Sequence, residues 1–338
     1  MKCSPATAGP GGGYEYTNAG DARDNGHMLT DMTDTTTADI RAALARTRDQ
    51  MGVPATGVVL NLIIMTDESG QHDAVRAASQ AGREHPCRVL GVIARESRAS
   101  SRLDAEIRSG EGTPGQTVLL RLYGPMSEHA DSVVMPLLVP DTPVVTWWHG
   151  LIPAVPSAQP LGVLAQRRVT DAARARAPAE ALAALSAGYR PGDTDLSWTR
   201  ATPWRSLLAA TVDQLLDPIY GGIVSAEEHN PTADLLTVWL SCRLHVPFSR
   251  EISDGPGITE VRLDTAAGDV RISRPDGRVA TLSRPGQPDR HVALQRRDIA
   301  DLLAEELRRL DPDEIYGEAL ASVAGIPATN DQRPWTEH

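Results

Sequence analysis

Lysine is all but missing from this 338-residue chain: Lys2 is the single lysine among 33 basic residues. That absence excludes two chemistries. A Walker-type phosphate loop closes on its lysine and Schiff-base catalysis needs a lysine amine, so neither can be built here. The three cysteines (Cys3, Cys87, Cys242) are too scattered for a disulfide framework or for the paired spacing of zinc and thioredoxin-like sites, which suits a reducing compartment. No apolar run reaches the length that spans a bilayer, and no signal-peptide core follows the N-terminus. A cytoplasmic protein with no membrane partner is expected. A formal net charge of -11 leaves no basic face for phosphates, which argues against a nucleic-acid partner.

What is present reads as an α/β protein in two domains. Residues 1–30, with Gly9 to Gly13 and hardly an aliphatic side chain, are expected to be a disordered tail. Residues 31–160 form an α/β domain, Rossmann-like but without a nucleotide motif. Its apolar runs at 58–65, 88–94, 116–123 and 143–148 predict a parallel sheet, with helices after Thr35 to Thr37, at 73–84 and after Ser127. Residues 103–109 alternate and suggest an antiparallel edge strand. A proline-rich traverse at 154–160 leads to an α+β domain over 161–325. Helices are predicted there at 178–187, 203–216 and 232–245, an antiparallel meander at 260–294, and helices capped by Asp298 and at 312–323. Residues 326–338 are expected to be a flexible tail.

Catalytic signatures are missing along this frame. No G-x-G-x-x-G follows a buried strand, and the turn after Met65, Thr66-Asp67-Glu68-Ser69-Gly70, sets carboxylates where a pyrophosphate would lie. A cofactor is therefore not expected. The nine histidines form no metal-ligand spacing, and no G-x-S-x-G elbow is present. His85 and His149 flank apolar strands, as backbone-bonded strand ends or as an acid or base. Cys87 is open to two readings, a small buried hydrophobe or a redox-active thiolate activated by His85 or Arg88. Asn61, polar inside an apolar run, either bonds across the sheet or points toward a ligand.

Aromatic residues make up only 4% of the chain, yet five of its six tryptophans fall between 147 and 239. Trp147 and Trp148 end a strand, whose period of two sends them to opposite faces. Either one ring is exposed or both are covered by helices. In Asp195-Leu196-Ser197-Trp198-Thr199-Arg200-Ala201-Thr202-Pro203-Trp204-Arg205, Thr202 can cap a helix that Pro203 opens, and Trp204 faces its apolar stripe. Trp198, Arg200 and Arg205 are the residue types that dominate protein interfaces. They are candidate partner contacts, together with one of Trp147 and Trp148.

His85-Pro86-Cys87-Arg88-Val89, the segment Leu137 to Trp148 with its proline-bounded double tryptophan, and Asp195 to Arg205 occur in an order and spacing that resembles the OpcA family, the glucose-6-phosphate dehydrogenase assembly proteins of actinobacteria and cyanobacteria. The resemblance covers roughly residues 32–323, and the arginine-rich, lysine-poor composition is that of an actinobacterial member. It implies a non-catalytic, allosteric partner that favours the active oligomer of glucose-6-phosphate dehydrogenase and so the supply of NADPH from the pentose phosphate pathway. The competing reading is a sugar-phosphate-binding α/β enzyme or ligand-binding protein that grips its phosphate with Arg88, Arg200 and Arg205.

Overall fold

The structure, a computed structural model, describes residues 22–24, 27–51, 58–95, 98–110 and 116–323. Its first sheet opens with β1 (Ala22–Asp24) and β2 (His27–Met32), followed by α1 (Thr37–Met51), β3 (Leu60–Thr66), α2 (Gln71–Ala81), β4 (Cys87–Ala94), β5 (Arg102–Gly110) and β6 (Thr117–Tyr123). After α3 (Ala130–Val134) come β7 (Val144–Trp148), α4 (Pro160–Val163), β8 (Arg167–Thr170), α5 (Pro178–Gly188) and β9 (Asp193–Asp195). The strands lie in the order β1-β2-β5-β6-β4-β3-β7-β8-β9. From β6 to β9 every neighbouring pair is parallel. Counted along the chain, those six strands run 3-2-1-4-5-6, the doubly wound dinucleotide-binding order, which reverses between β3 and β7.

Three expectations are corrected by this sheet. Residues 22–24 and 27–30, assigned above to a disordered tail, sit in β1 and β2; β2 pairs with β5 from His27 opposite Gly110 to Met32 opposite Ala105. The backbone ladder supplies the order that the side-chain pattern does not advertise, and β5 is therefore an interior antiparallel strand rather than an edge. The expected tails at 1–21 and 326–338 lie outside the described residues. The boundary expected at 160 also falls inside the sheet, because β8 and β9 extend it to Asp195.

Both faces of the parallel strands are covered, as their continuous apolar runs require. Ile63, Leu90 and Val92 meet Ile40 and Leu44 of α1 and Val133 of α3 on one side. Leu62, Ile64, Val145 and Trp147 meet Ala74 and Ala78 of α2 on the other, together with a helix that arrives late in the chain. Asn61 resolves as a clamp: Nδ2 donates to the Val139 carbonyl and to Thr142 Oγ1, and Oδ1 accepts from the Val139 amide. It pins the loop that leads into β7.

The second half begins with α6 (Leu196–Arg200) and α7 (Thr202–Val212), then β10 (Ile219–Ala226), α8 (Pro231–Leu244), β11 (Phe248–Ile252), β12 (Ile258–Thr265), β13 (Val270–Ser273), β14 (Val279–Ser283) and β15 (Arg290–Ala293). These strands form a second sheet in the order β11-β10-β12-β13-β14-β15, antiparallel except for β10 with β11. Helices α7 and α8 cover one face, with Trp204, Leu208, Leu236 and Leu240 against Val224, Val261 and Ile272. The chain then returns: α9 (Ile299–Arg308) lays Leu303 and Leu307 on the first sheet, beside α2, and α10 (Glu314–Ser322) packs with α5 and α8. Asp298 caps α9 as expected, accepting from the Asp301 amide at 3.0 Å. Asn230 caps α8, because its side chain sits just before Pro231 and reaches the Ala233 amide.

Asn61 is itself buried and bonds three groups at once, and Asn61→Ala leaves the Val139 amide without its acceptor at the base of β7, while the Val139 carbonyl keeps only Thr142 Oγ1. The expected loss is about 2–3 kcal/mol of stability. A urea-unfolding midpoint equal to that of the parent would contradict the clamp.

Candidate functional site

A ligand of a doubly wound sheet binds outside the carboxyl ends of its strands, where their order reverses. Here that crevice lies between the β3–α2 turn and the end of β7. The turn is closed by its own carboxylate: Asp67 Oδ1 accepts from the Gly70 amide and from Ser69 Oγ, both at 2.7 Å. These bonds hold the Asp67 carboxyl below its ordinary pKa. The anion at the start of α2 is therefore part of the chain. Opposite it, His149 is buried and its ring lies edge-on to Trp147 with centroids 5.0 Å apart. Neither ring nitrogen has a hydrogen-bond partner among the described residues. A Cβ at position 70 would stand 2.9 Å from Thr66 Oγ1 and 3.0 Å from His149 Nδ1, so a larger residue there would push those side chains aside.

The segment Asp195 to Arg205 lies at the joint between the two sheets. Asp195 ends β9 and is fully buried, accepting from Thr170 Oγ1, the Ala172 amide and the Ser197 amide at 2.7–2.8 Å. It is the true cap of the helical stretch, which starts at Leu196 rather than at Thr202. Burial, and then the neighbouring Asp171 charge, raise its pKa. Arg200 holds the buried Asp171 through two parallel bonds of 2.6 and 2.7 Å. Thr202, freed from capping, donates to Glu305 Oε1 and accepts from Arg205.

Trp198, expected at an interface, is 1% exposed. Its indole N–H donates to Asp313 Oδ2 at 2.8 Å, Tyr316 packs beside it, and the Arg205 guanidinium covers its face at 3.6 Å. Trp147 and Trp148 are 0% and 4% exposed, so of the two readings left open for this pair the covered one holds. They do point to opposite faces, but α2 and α9 cover one, and Gly162 of α4 approaches the other ring. Of the five expected partner contacts, only Arg200 and Arg205 keep part of their side chains open to solvent.

Two further candidates resolve as structural groups. Cys87 is buried at the start of β4, where desolvation pushes its thiol up to about 12, so neither His85 nor Arg88 activates it toward redox chemistry. Arg88 donates to the Leu137 carbonyl and to Gln116 at the amino ends of the strands. Arg200 and Arg205 follow the carboxyl end of β9, so the three arginines of the sugar-phosphate reading do not converge. Among the described residues no group of three or more His, Cys, Asp or Glu side chains is placed to hold a metal.

Sequence reasoning missed the groups that close the joint. Glu306 of α9 is buried, with Oε2 accepting from Arg167 of β8 and Oε1 from Thr199 Oγ1 of α6 at 2.6 Å. Arg167 also donates to the Asp311 carbonyl. Arg168 pairs with Asp193, and Arg297 with Glu305 and the Thr199 carbonyl. The one signal available was the doublet Arg167-Arg168 beside Val169, a break in an apolar stretch that a buried pair explains.

Sheet order and joint define an α/β protein of doubly wound topology, welded to an antiparallel-rich sheet and lacking a phosphate-binding turn. Residues 78–187 match the family described as the glucose-6-phosphate dehydrogenase subunit N-terminal domain, and residues 191–320 its C-terminal domain. The chain belongs to this OpcA family of glucose-6-phosphate dehydrogenase assembly proteins. No curated protein sequence matches it. Among solved structures, an oxidoreductase from Sinorhizobium meliloti is similar over 79% of this chain and 96% of its own, at 9% identity and a TM-score of 0.45. An NAD-binding oxidoreductase from Klebsiella pneumoniae is similar over 79% and 95%, at 8% identity and a TM-score of 0.41. Such scores carry no argument about chemistry. No helix among the described residues is long and apolar enough to cross a membrane.

Glu306→Ala strips two buried cationic and hydroxyl donors of their acceptor and is expected to cost about 3–5 kcal/mol, whereas Glu84→Ala, which breaks an exposed pair with Arg308, leaves stability close to unchanged. Comparable melting temperatures for the two variants would contradict a structural role for Glu306. His149 gives a pH signature. Burial first, and then the Arg174 charge, hold its pKa below the ordinary 6.5. The unfolded chain therefore takes up this proton before the native one does, and stability falls as pH drops below about 6.5. Melting curves between about pH 7 and about pH 5 are expected to slope more steeply for the parent than for His149→Gln. Equal slopes would assign the acid sensitivity elsewhere.

Proposed function

We propose that this chain is a non-catalytic partner of glucose-6-phosphate dehydrogenase that binds it, favours its active oligomeric state, and thereby supports NADPH formation in the oxidative pentose phosphate pathway. The observation that carries this reading is the pair of family matches, which together take in the first sheet from β4 onward, the second sheet and the joint between them. The switch point supports it from chemistry, since the start of α2 is bonded to Asp67 and offers its Gly70 amide to no external phosphate. A cytoplasmic location follows from the partner.

A binding protein moves an equilibrium only by its different affinities for the two states, and coupling of about 1–3 kcal/mol, or about 5- to 150-fold, is typical. The contact area must come from outside the buried tryptophans. Trp147, Trp148 and Trp198 shape the surface from beneath, while Arg200 and Arg205 border it.

The test is size-exclusion of the purified chain with and without glucose-6-phosphate dehydrogenase, alongside dehydrogenase activity over a range of ratios. Co-elution in a larger species with a rise in specific activity is expected. Separate elution with flat activity would overturn the reading, and conversion of substrate by this chain alone would overturn its non-catalytic part.

A further inference from the structure

Among the described residues the buried arginines Arg167 and Arg168 each meet a carboxylate, and the buried Arg274 does not. Between the N-terminal turns of α7 and α8 and the rim of the second sheet lies a partly open cleft of about 80 Å³. Arg200, Trp204, Thr232, Arg274, Arg296 and Arg297 line it. Two of its arginines are already paired, Arg200 with Asp171 and Arg297 with Glu305. Arg274 and Arg296 form no ion pair among the described residues, and the Asp276 charge acts on Arg274 only through space, so the cleft carries two guanidinium groups without a bonded counter-ion.

Arg274 is the informative member. It is 5% exposed, and a buried cation is normally paired with a carboxylate. Instead its two terminal nitrogens donate to the Leu294 and Ile258 carbonyls, which hold the group in place without cancelling its charge. Its Nε has no partner. The guanidinium lies over the Trp204 ring at 4.9 Å, which fixes its plane. Burial, and next the Arg296 charge, lower its pKa to about 10, so it stays a cation at neutral pH at a standing electrostatic cost. Arg296 converges on the same point. A Cβ on Gly257, whose φ of +68° favours glycine, would find Arg274 Nη2 at 3.7 Å and Arg296 Nε at 3.8 Å.

The remaining walls favour an anion too. The first turns of α7 and α8 face the cleft, and helix N-termini carry partial positive charge and free amides. In α8 the first residue is Pro231, which has no amide hydrogen, and Asn230 takes the Ala233 amide. The Thr232 amide between them has no hydrogen-bond partner among the described residues. A cleft of this size has room for one tetrahedral oxyanion or a few waters.

We propose that this cleft is a binding site for a small phosphate monoester, gripped by Arg274 and Arg296 against the start of α8, with Arg200 and Arg297 at its sides. Two unpaired guanidinium groups match the dianion in charge, and their planar forks match phosphate oxygens in geometry. This site is separate from the crevice at β3 and β7, and it does not depend on the dehydrogenase-binding reading.

The experiment is calorimetric titration of the full chain alone with inorganic phosphate and with glycerol 3-phosphate, against potassium chloride at matched ionic strength. Saturable binding of both phosphates is expected, weakening as pH falls through about 6, where the monoester gains a proton. Arg296→Ala, a change at an exposed side chain, is expected to weaken binding about tenfold or more, while Arg308→Ala leaves it intact. If Arg274→Met fails to fold, Arg296→Ala alone decides. Heat that tracks ionic strength, or equal affinity in Arg296→Ala and parent, overturns the proposal. So does binding of a hexaglutamate peptide where neither phosphate binds, which would assign the cleft to an acidic protein segment. Failure here leaves co-elution with the dehydrogenase to stand or fall on its own.

Discussion

Glu306 sits buried between Arg167 and Thr199, and through it one carboxylate ties α9 to β8 and α6, segments 139 and 107 residues away in sequence. The apolar face of α9 alone would cover α2 and β3 in many registers, since hydrophobic burial has no direction. A buried ion pair adds little net stability relative to an apolar replacement, yet it makes misregistered docking expensive by stranding a charge. The same helix carries Glu305, which takes Thr202 and Arg297, so adjacent residues of α9 hold both the end of the first sheet and the start of α7. The second sheet inherits its position from those contacts.

That arrangement explains why the tryptophan-arginine segment looks like a recognition motif but is built as a joint. Tryptophan offers a large apolar ring with one donor at its edge, and Trp198 uses both: the ring fills the space among α5, α8 and α10, and the indole N–H reaches the Asp313 that caps α10. Arginine is the cation that tolerates such burial, because its fork satisfies several acceptors at once. The bidentate bond of Arg200 to Asp171 is one case, and the stacking of Arg205 on Trp198 is another. A chain nearly without lysine has equipped its interior with the side chain suited to fixed pairing.

Much of the fold was legible because its central strands announce themselves. β3, β4, β6 and β7 are apolar on both faces, and the capped helices α1 and α9 begin where Thr36 and Asp298 place them. Strands β8 and β9 were not legible: Arg-Arg-Val-Thr and Asp-Thr-Asp show no apolar pattern, because paired charges and a caged carboxylate occupy positions where other strands place aliphatic groups. Missing them moved the domain boundary. The burial of Trp147, Trp148 and Trp198 was hidden for a related reason, since residue type alone cannot say whether a tryptophan ring meets solvent or its own chain. Arg274 gave no signal at all; its isolation exists only once the meander brings Leu294 and Ile258 around it.

The switch point shows what a doubly wound sheet becomes when the anion it is shaped to accept is supplied from within. The strand order leaves a crevice and a helix N-terminus beside it whatever the sequence, because both follow from topology. Asp67 fills that position at 2.7 Å from the Gly70 amide, and an incoming phosphate would meet a carboxylate held ionised by its hydrogen bonds. Asp67 is exposed, so solvent weakens the repulsion between the two anions, but the Gly70 amide is already taken. A cleft with positive potential lies elsewhere, at the start of α8, where a capping asparagine and a helix-opening proline leave one amide without a partner and Arg274 and Arg296 stand without a bonded carboxylate. The electrostatics of the fold thus redirect anion affinity from the crevice that topology provides to a cleft built by side chains on the second sheet.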